Sequence, residues 1–518
     1  MIRSFLTVSS GTLASRLLGF LRDSMIAALL GTGAVADAFL AAFQLVNVAR
    51  RLLSEGALNA ALVPAWLRLR GSGGAEAAAA FAGRVLGTIS AALFVATLLI
   101  GGAMPLVIAL LAPGFSGETL SLAITDARLM LPYLAFAGPA TVLLALASAR
   151  GQFVLTAFSP LLFNIALIAV MIIFFVKPHD AGTIALALAA TVGIAGLLQL
   201  SILVFRRGER VATPLRVNFD KEMRGFLGRA LPGMVASSAP QLLIVAAAII
   251  ASSSPSAVSW LYFANRLIEL PLGIVGVAMG TVMIPELTRA LQGGDKTVIA
   301  HAESRALELA VGLALPATLG LIALSEPIVR LLFQHGAFTV DDTQSTSRAL
   351  IFLALGLPAH VLVKALSPAF FAREDTMAPL LATLKGIVIA IVFAVLLGHF
   401  FGASGVAAGI ACGAWSNAAA LIRHGSTTFG FTLDDAARRR LPRIVAAALL
   451  MGGLLWLATA IVPGGTAHGL TQAVILFALI AAGIAADGLL LAALGVAGIR
   501  DLVNAIHPSG DLPSDLRP

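Results

Sequence analysis

VLGTISAALFVATLLIGGAMPLVIALL, residues 85–111, runs for twenty-seven residues without a charge. About 20 apolar residues suffice to cross a hydrocarbon layer of about 30 Å, so this stretch alone reads as a membrane-spanning helix. Further apolar runs at Leu161–Val176 and Leu450–Val462 extend the pattern along all 518 residues. Hydrophobic residues make up 59% of the chain and charged ones 12%, about half the share that soluble domains carry. No soluble domain of useful size is left over. The net charge of +8 does not point to nucleic acid, because the basic residues lie between apolar spans rather than among aromatics on a polar face. A single cysteine, Cys412, excludes disulfides within the chain and multi-thiolate metal sites.

With Gly, Pro and charge clusters as boundaries, spans fall near 5–31, 36–67, 84–111, 124–149, 157–177, 182–205, 227–251 and 257–288. Six more fall near 306–333, 348–371, 376–398, 404–424, 443–462 and 470–496, giving fourteen. The first holds Arg16, Arg22 and Asp23 and lacks a small-residue cleavage site, so it is expected to be a span rather than a removable signal. With the N-terminus in the cytoplasm, one set of loops holds Arg68, Arg70, Arg84, Arg150, the basic stretch from Arg206 to Arg229, Arg289, Lys296, Arg305, Arg373, Arg438–Arg440 and Arg443. The opposite loops offer Lys177. That asymmetry predicts both termini in the cytoplasm.

An internal repeat organises the spans. Gly138-Pro139-Ala140, Ser148 and Ser159-Pro160-Leu161-Leu162 align with Leu357-Pro358-Ala359, Ser367 and Ala378-Pro379-Leu380-Leu381 at an offset of 219. Pro105-Leu106-Val107 echoes Pro327-Ile328-Val329, and Val63-Pro64 echoes Ile284-Pro285, at offsets of 221 to 222. A repeat of six spans enters the membrane from the same side each time, so the copies are related by an axis along the membrane normal. The expected fold is all-α and polytopic: an N-lobe at 1–207, a basic cytoplasmic linker at 208–225, a C-lobe at 226–430, and two extra spans with a short tail at 431–518.

Arg16, Arg22, Arg50, Arg51 and Arg266 fall inside these spans, where each costs about 2.5–3.5 kcal/mol at a bilayer centre. They are expected to line a protein interior or wet cavity, paired with Asp23, Asp37, Glu55 or Glu269 or with an anionic ligand. Snorkelling or fixed internal ion pairs would satisfy any one of them. The excess of arginine over acid across the set favours a cavity for a diffuse anion, and guanidinium forks suit phosphate oxygens. On an ideal helix Arg16 and Arg22 lie about 120° apart, so aiming both at one ligand needs a bend, for which Gly19 stands between them. The sequence holds no phosphate-binding loop, no H-E-x-x-H, no G-x-S-x-G and no Cys/His cluster. His335, His360, His399 and His424 read as solvated or packing residues near span ends, and Asp341-Asp342 and Asp434-Asp435 as solvated loop acids.

Ser15–Asp23, Ala36–Phe39 and Asn47–Ala57, followed by Ser259–Pro271 and Leu366–Asp375, resemble the MurJ (MviN) lipid II flippases over essentially the whole chain. The resemblance implies the architecture of the multidrug/oligosaccharidyl-lipid/polysaccharide exporters, two six-helix lobes about a central cavity, with the last two spans forming a groove for a polyprenyl tail. It implies a non-enzymatic transporter, without cofactor, in the bacterial inner membrane. Arg16, Arg22, Arg50, Arg51 and Arg266 then take the substrate-contact role, with Asp23 and Asp37 as polar partners. Glu55, Asn265 and Glu269 become the conformational positions. Asn265 stands where many relatives carry aspartate, so a charge-dependent gate is not expected there. Spans seven, eleven and twelve lack an acid cluster, Gln241 and Asn417 being their notable polar residues, and no sodium site is assigned.

The expected activity is alternating-access transfer of lipid II, the undecaprenyl-diphosphate-linked muropeptide, to the outer leaflet. Its expected partners are lipid II and membrane lipids, with wall-synthesis or division proteins as further candidates, and a monomer is expected. The alternatives are an exporter of another polyprenyl-linked oligosaccharide, a drug/cation antiporter of the same fold, or a scaffold acting through its cytoplasmic loops. A cation exporter would favour acids over arginines in its cavity.

Overall fold

Gly74 and Gly402 turn two long apolar helices back into pairs. Each has the positive φ that only glycine adopts without strain, 78° and 56°. The computed structural model describes residues 2–54, 57–205, 212, 215–218, 220, 223–228, 239–279, 284–293, 295–371, 373, 375–461 and 469–496. The fold is all-α, with no strand among the described residues. Nine helices among them are long and apolar enough to cross a membrane. Leu98, Leu99, Val176, Val388, Trp456 and Ile484 on these helices are strongly exposed, an outward apolar surface that water would penalise and lipid would not.

The chain divides into two compact units. The first comprises Met1–Arg266, Leu332–Thr346 and Ile391–Gly409. It contains α1 (Ile2–Leu30), α2 (Ala34–Ser54), α3 (Ala57–Gly102), α4 (Met104–Leu111), α5 (Gly117–Met130), α6 (Pro132–Ala149), α7 (Phe153–Val176), α8 (Ala181–Phe205) and α9 (Ala239–Ala251). The N-terminal part of α10 (Ala257–Ala278) completes it. Helix α1 packs mainly on α7, α2 on α5, and α3 on α6, with α8 against α6 and α7. Leu62, Trp66, Phe81 and Val85 from the two arms of α3 share a core with Val142, Leu146 and Phe226. At the α1–α2 turn, a Cβ on Gly31 would fall 2.5 Å from the Ala337 carbonyl oxygen, so glycine is what lets the 335–338 segment close on the end of α1. The Ala337 amide donates to the Ala28 carbonyl at 2.8 Å there.

The second unit comprises Leu267–Leu331, Ser347–Ala390 and Ile410–Pro518. Its elements are the rest of α10, α11 (Ile284–Gly293), α12 (Lys296–Ala323), most of α13 (Ser325–Phe333) and the end of α14 (Val340–Leu355). There follow α15 (Leu357–Phe371), the outer parts of α16 (Met377–Thr428), α17 (Asp435–Ile461) and α18 (Leu470–Ala493). Helix α12 packs on α15 and α17, and α17 on α18. Leu324, Met451, Leu455 and Leu476 form a core there. Gly452 and Gly483 admit Leu319 and Leu455 side chains that a Cβ would meet at 2.9 Å, the close small-residue packing usual between membrane helices. Asp295 caps α12 by accepting from the Thr297 amide at 2.8 Å, and the Thr297 hydroxyl and amide hold its carboxyl below the usual range.

The repeat is visible in the helix borders. Met104 and Ser325 each open a short helix, Gly117 and Val340 the next, and Pro132 and Leu357 the third. These starts are 221, 223 and 225 residues apart. Pro139 lies inside α6 whereas Pro358 is the second residue of α15, so the proline match at an offset of 219 is not a structural equivalence. Pro132 occupies the matching first turn, where a missing N–H costs nothing. Two expected borders also move. Span 84–111 breaks at Ala103, after which α4 begins with Pro105 in its first turn. The expected loop at 68–83 is helical on both sides of Gly74, as its alanine-rich sequence favours.

Candidate functional site

Asp23, wholly buried on α1, is the centre of a charged cluster in the first unit. Its Oδ1 accepts from Arg22 Nε at 2.8 Å and from the Tyr262 hydroxyl at 3.1 Å. Its Oδ2 lies 2.7 Å from Arg266 Nε. Arg22 also donates to Asn164 Oδ1 at 2.9 Å, while Asn164 Nδ2 donates to the Ser15 carbonyl at 3.2 Å. One amide on α7 therefore fixes both the guanidinium and the backbone of α1.

Aromatic faces hold the cations where acids are scarce. Arg22 lies over the rings of Phe43 and Phe163, at 5.0 and 5.8 Å, and Arg50 lies 5.2 Å from the centre of the same Phe163 ring. Arg50 also bonds the Tyr133 hydroxyl and sits close enough to Arg22, Arg51 and Arg266 for their charges to repel. Arg22 and Arg266 thus share the Asp23 carboxylate, and Arg50 lies close to both guanidinium groups. A cation over an aromatic face gains about 0.5–2 kcal/mol, less than an ion pair with a phosphate supplies in a dry site.

Gly19 makes room for this arrangement. A Cβ there would come 2.6 Å from Arg266 Nη2 and 3.7 Å from Asn164 Nδ2. The glycine between Arg16 and Arg22 works by close approach: α1 is one helix from Ile2 to Leu30, and Arg16 stays exposed, outside the cluster. Asp37 is also elsewhere, buried on the first turn of α2, where its Oδ1 accepts from the amide of Ser259 at 2.9 Å and from its hydroxyl. Thr32 and Trp260 Nε1 both donate to Asp342 Oδ1, and Ser24 donates to the Leu332 carbonyl. Asp342, expected as a solvated loop acid, is instead buried in this network because it closes a capping box with Thr339 at the start of α14. Phe263 packs on Phe333 and Phe338 within the same network, at 5.0 and 5.6 Å between ring centres. Bonds thus fasten α1 and its turn to α10 and to 332–342 all the way from Asp23 to Asp37.

Of the remaining candidates, Arg51 and Asn265 are partly buried in the first unit and Glu269 partly buried in the second. Glu55 and the Gln241 side chain lie outside the described residues. Asn417 Nδ2 reaches Thr383 at 3.3 Å. Sequence reasoning missed Asn164, Tyr133 and Tyr262, yet a signal was present: the chain has two tyrosines, and both touch the cluster. It also missed Lys364, an exposed cation on α15 whose Nζ lies 3.2 Å from where a Gly276 Cβ would be.

Comparison with known proteins agrees over nearly the full length. The structure of a protein described as "Lipid II flippase MurJ, inward closed conformation" superposes with a TM-score of 0.79 at 23% identity, covering 96% of this chain and 100% of that one. A multidrug resistance MATE family transporter of the MOP superfamily in an inward-facing conformation gives 0.65 at 19% identity, with 83% and 95% covered. Fold and apolar helices together define a multi-pass, all-α membrane protein with the fold these two structures share.

The model of the family "Lipid II flippase MurJ" matches residues 26–476. The Rhizobium meliloti protein named "Probable lipid II flippase MurJ" is 36% identical over 464 residues, 88% of this chain and 86% of the relative. The Burkholderia cenocepacia "Lipid II flippase MurJ" is 30% identical over 465 residues, with 88% and 89% covered. The chain belongs to the lipid II flippase MurJ family.

Proposed function

We propose that this chain carries lipid II from the cytoplasmic to the outer leaflet of the bacterial inner membrane by alternating access, without covalent change to the substrate. The observation that carries the reading is the convergence of three guanidinium groups, those of Arg22 and Arg266 on Asp23 and that of Arg50 close to both. A diphosphate supplies negative charge and enough oxygens to engage several guanidinium forks at once. Arg51 lies within reach of the same field, and Arg16 is exposed on α1. Asp37, bound to Ser259, serves as a latch rather than a ligand.

The two copies of the repeat, 1–207 and 226–430, act as the moving lobes, and 431–518 supplies the surface for the polyprenyl tail. Both termini lie in the cytoplasm, as the basic loops require. In that orientation the fastened stretch from Asp23 to Asp37 closes the outer side. Glu55, Asn265 and Glu269 take the conformational role in that movement. The driving energy is the membrane potential or an ion gradient, worth about 2.3 kcal/mol per charge at 100 mV.

The test is transfer of labelled lipid II in liposomes holding the purified protein. Arg266→Ala is expected to reduce transfer at least about tenfold, the share of one charge-assisted contact, and to fail in cells that depend on the protein. Normal transfer and growth would remove the assigned site. Background transfer by the unaltered protein would favour a scaffold.

A further inference from the structure

The second unit contains a groove of about 420 Å³, set apart from the arginine cluster around Asp23. Its wall is apolar: Leu307 and Val311 from α12, Leu362 from α15, Ile422 from α16, Leu433 just before α17 and Leu441 in its second turn. Arg438 completes the lining.

Four arginines crowd the first turns of α17, and three are engaged. Arg439 Nε donates to the Asp435 carbonyl at 3.1 Å, Arg440 pairs with Glu308 at 3.6 Å, and Arg443 donates to the Leu494 carbonyl at 3.1 Å. Arg438 is exposed, and its guanidinium makes no ion pair or hydrogen bond among the described residues. The nearby acid that could have claimed it is occupied, since Asp434 accepts from the Ala437 amide at 2.7 Å and pairs with His301 at 2.9 Å. Those contacts, the Ala437 amide first, hold the Asp434 carboxyl below its usual range.

The groove also sits at a defined depth. It gathers the end of α16, the 429–434 segment and the start of α17, where the basic turn gives way to the apolar run from Ile444 onward. Helix ends rich in arginine mark the level of lipid phosphates, and the apolar wall below them faces acyl chains. Water is a poor occupant for such a wall, and a polypeptide would leave the guanidinium unpaired unless it brought an acid to the same level.

We infer that this groove holds an anionic glycerophospholipid of the surrounding bilayer, one acyl chain lying along Leu307, Leu362 and Leu433 with the phosphate on Arg438. Ser426 and Thr432, which also line it, stand where the ester oxygens would lie. Anionic headgroups are selected over zwitterionic ones because no ammonium group on the lipid competes for the phosphate.

The experiment is native mass spectrometry of the full-length protein, released from detergent after incubation with phosphatidylglycerol or phosphatidylcholine at equal concentration. Wild-type protein is expected to retain phosphatidylglycerol about fivefold better, the preference that one basic side chain at headgroup level supplies. Arg438→Gln removes that preference, Arg439→Gln keeps it, and Ile422→Trp, at a half-exposed position, lowers retention of both lipids. Equal loss in the Arg438 and Arg439 variants would show a diffuse surface charge and overturn the site, as would unchanged preference in Arg438→Gln. Displacement of phosphatidylglycerol by an equal amount of undecaprenyl phosphate would assign the groove to the transported lipid and overturn the inference. None of these readouts depends on lipid II transfer, so failure here leaves the transport reading standing.

Discussion

The two copies of the repeat share their helix borders and differ in what they place within them. In the first, α5 buries Asp126 completely, and neither carboxyl oxygen finds a partner among the described residues. The matching stretch of α14, Ala349–Ile351, holds no ionisable group, and Ala349 is buried. The second copy carries its cation on α15, where Lys364 is exposed, while α6 is apolar and buried from Ala137 to Leu146 apart from Thr141 and partly covered Leu143 and Leu144. Helix borders are set by glycine, proline and the thickness of lipid, which act alike on both copies. Side chains inside the borders are free to diverge, and the charged chemistry gathers around α1, which meets α7 and α10.

Removing Asp23 should break this asymmetry most severely. Asp23→Ala leaves Arg22 and Arg266 without their shared carboxylate, and losing one member of a buried ion pair costs about 3–5 kcal/mol. Thermal unfolding in detergent is expected to show that loss, and lipid II transfer to vanish. If the variant unfolds too readily to assay, Asp23→Asn keeps the shape and the Tyr262 contact, so its transfer isolates the charge. A wild-type melting temperature for Asp23→Ala would mean that the cluster is not held by this carboxylate.

Next comes a direct contest between cations. Arg50→Gln is expected to reduce transfer at least about tenfold, as loss of one charge-assisted contact would, and Lys364→Gln by a smaller factor. The reverse order would move the site's centre into the second copy. Gly19→Ala should act through Arg266 alone, because its methyl group meets the guanidinium at 2.6 Å. Displacing a single charge-assisted bond in this way costs about 1.5–3 kcal/mol, read as reduced transfer with little change in helix content.

Much of this was legible in the sequence. Fold class followed from uncharged runs and loop charge, and Arg22, Asp23 and Arg266 from their expense in lipid. Their convergence was not legible, since it depends on Asn164 and two tyrosines on other helices, and a lone polar residue in an apolar span does not announce its partner. Arg16 shows the converse: its residue type resembles that of Arg22, yet it stays exposed and outside the Asp23 cluster on the one continuous helix α1. The register of the repeat misled for a related reason, because proline is tolerated both inside a membrane helix and at its first turn. Pro139 and Pro358 therefore match in sequence without matching in structure.

Asp126 offers a gentler test of the comparison. Replacing it by Asn or Leu makes α5 resemble α14, and a buried polar group without a partner costs about 1–3 kcal/mol. Asp126→Leu is therefore expected to leave the protein as stable as wild type or more so. A lower melting temperature would reveal that the carboxyl is stabilised in a way its buried surroundings do not supply.

The smallest effect concerns how the matched helices begin. Helix α14 starts with a capping box in which Thr339 and Asp342 satisfy each other's amides, at 2.9 and 3.2 Å. Helix α5 starts after Ser116, whose hydroxyl makes no capping bond. Thr339→Ala should then cost about 1 kcal/mol, while Ser116→Ala should cost close to nothing, although serine is as good a cap by type. The contrast arises because Asp342 is held from the far side by Thr32 and Trp260, which fixes the box in place, whereas no such brace acts on Ser116. Hydrogen exchange at the amides of Thr339 and Asp342 would read the difference. Equal losses in the two variants would mean that the second copy's helix start is no better anchored than the first's.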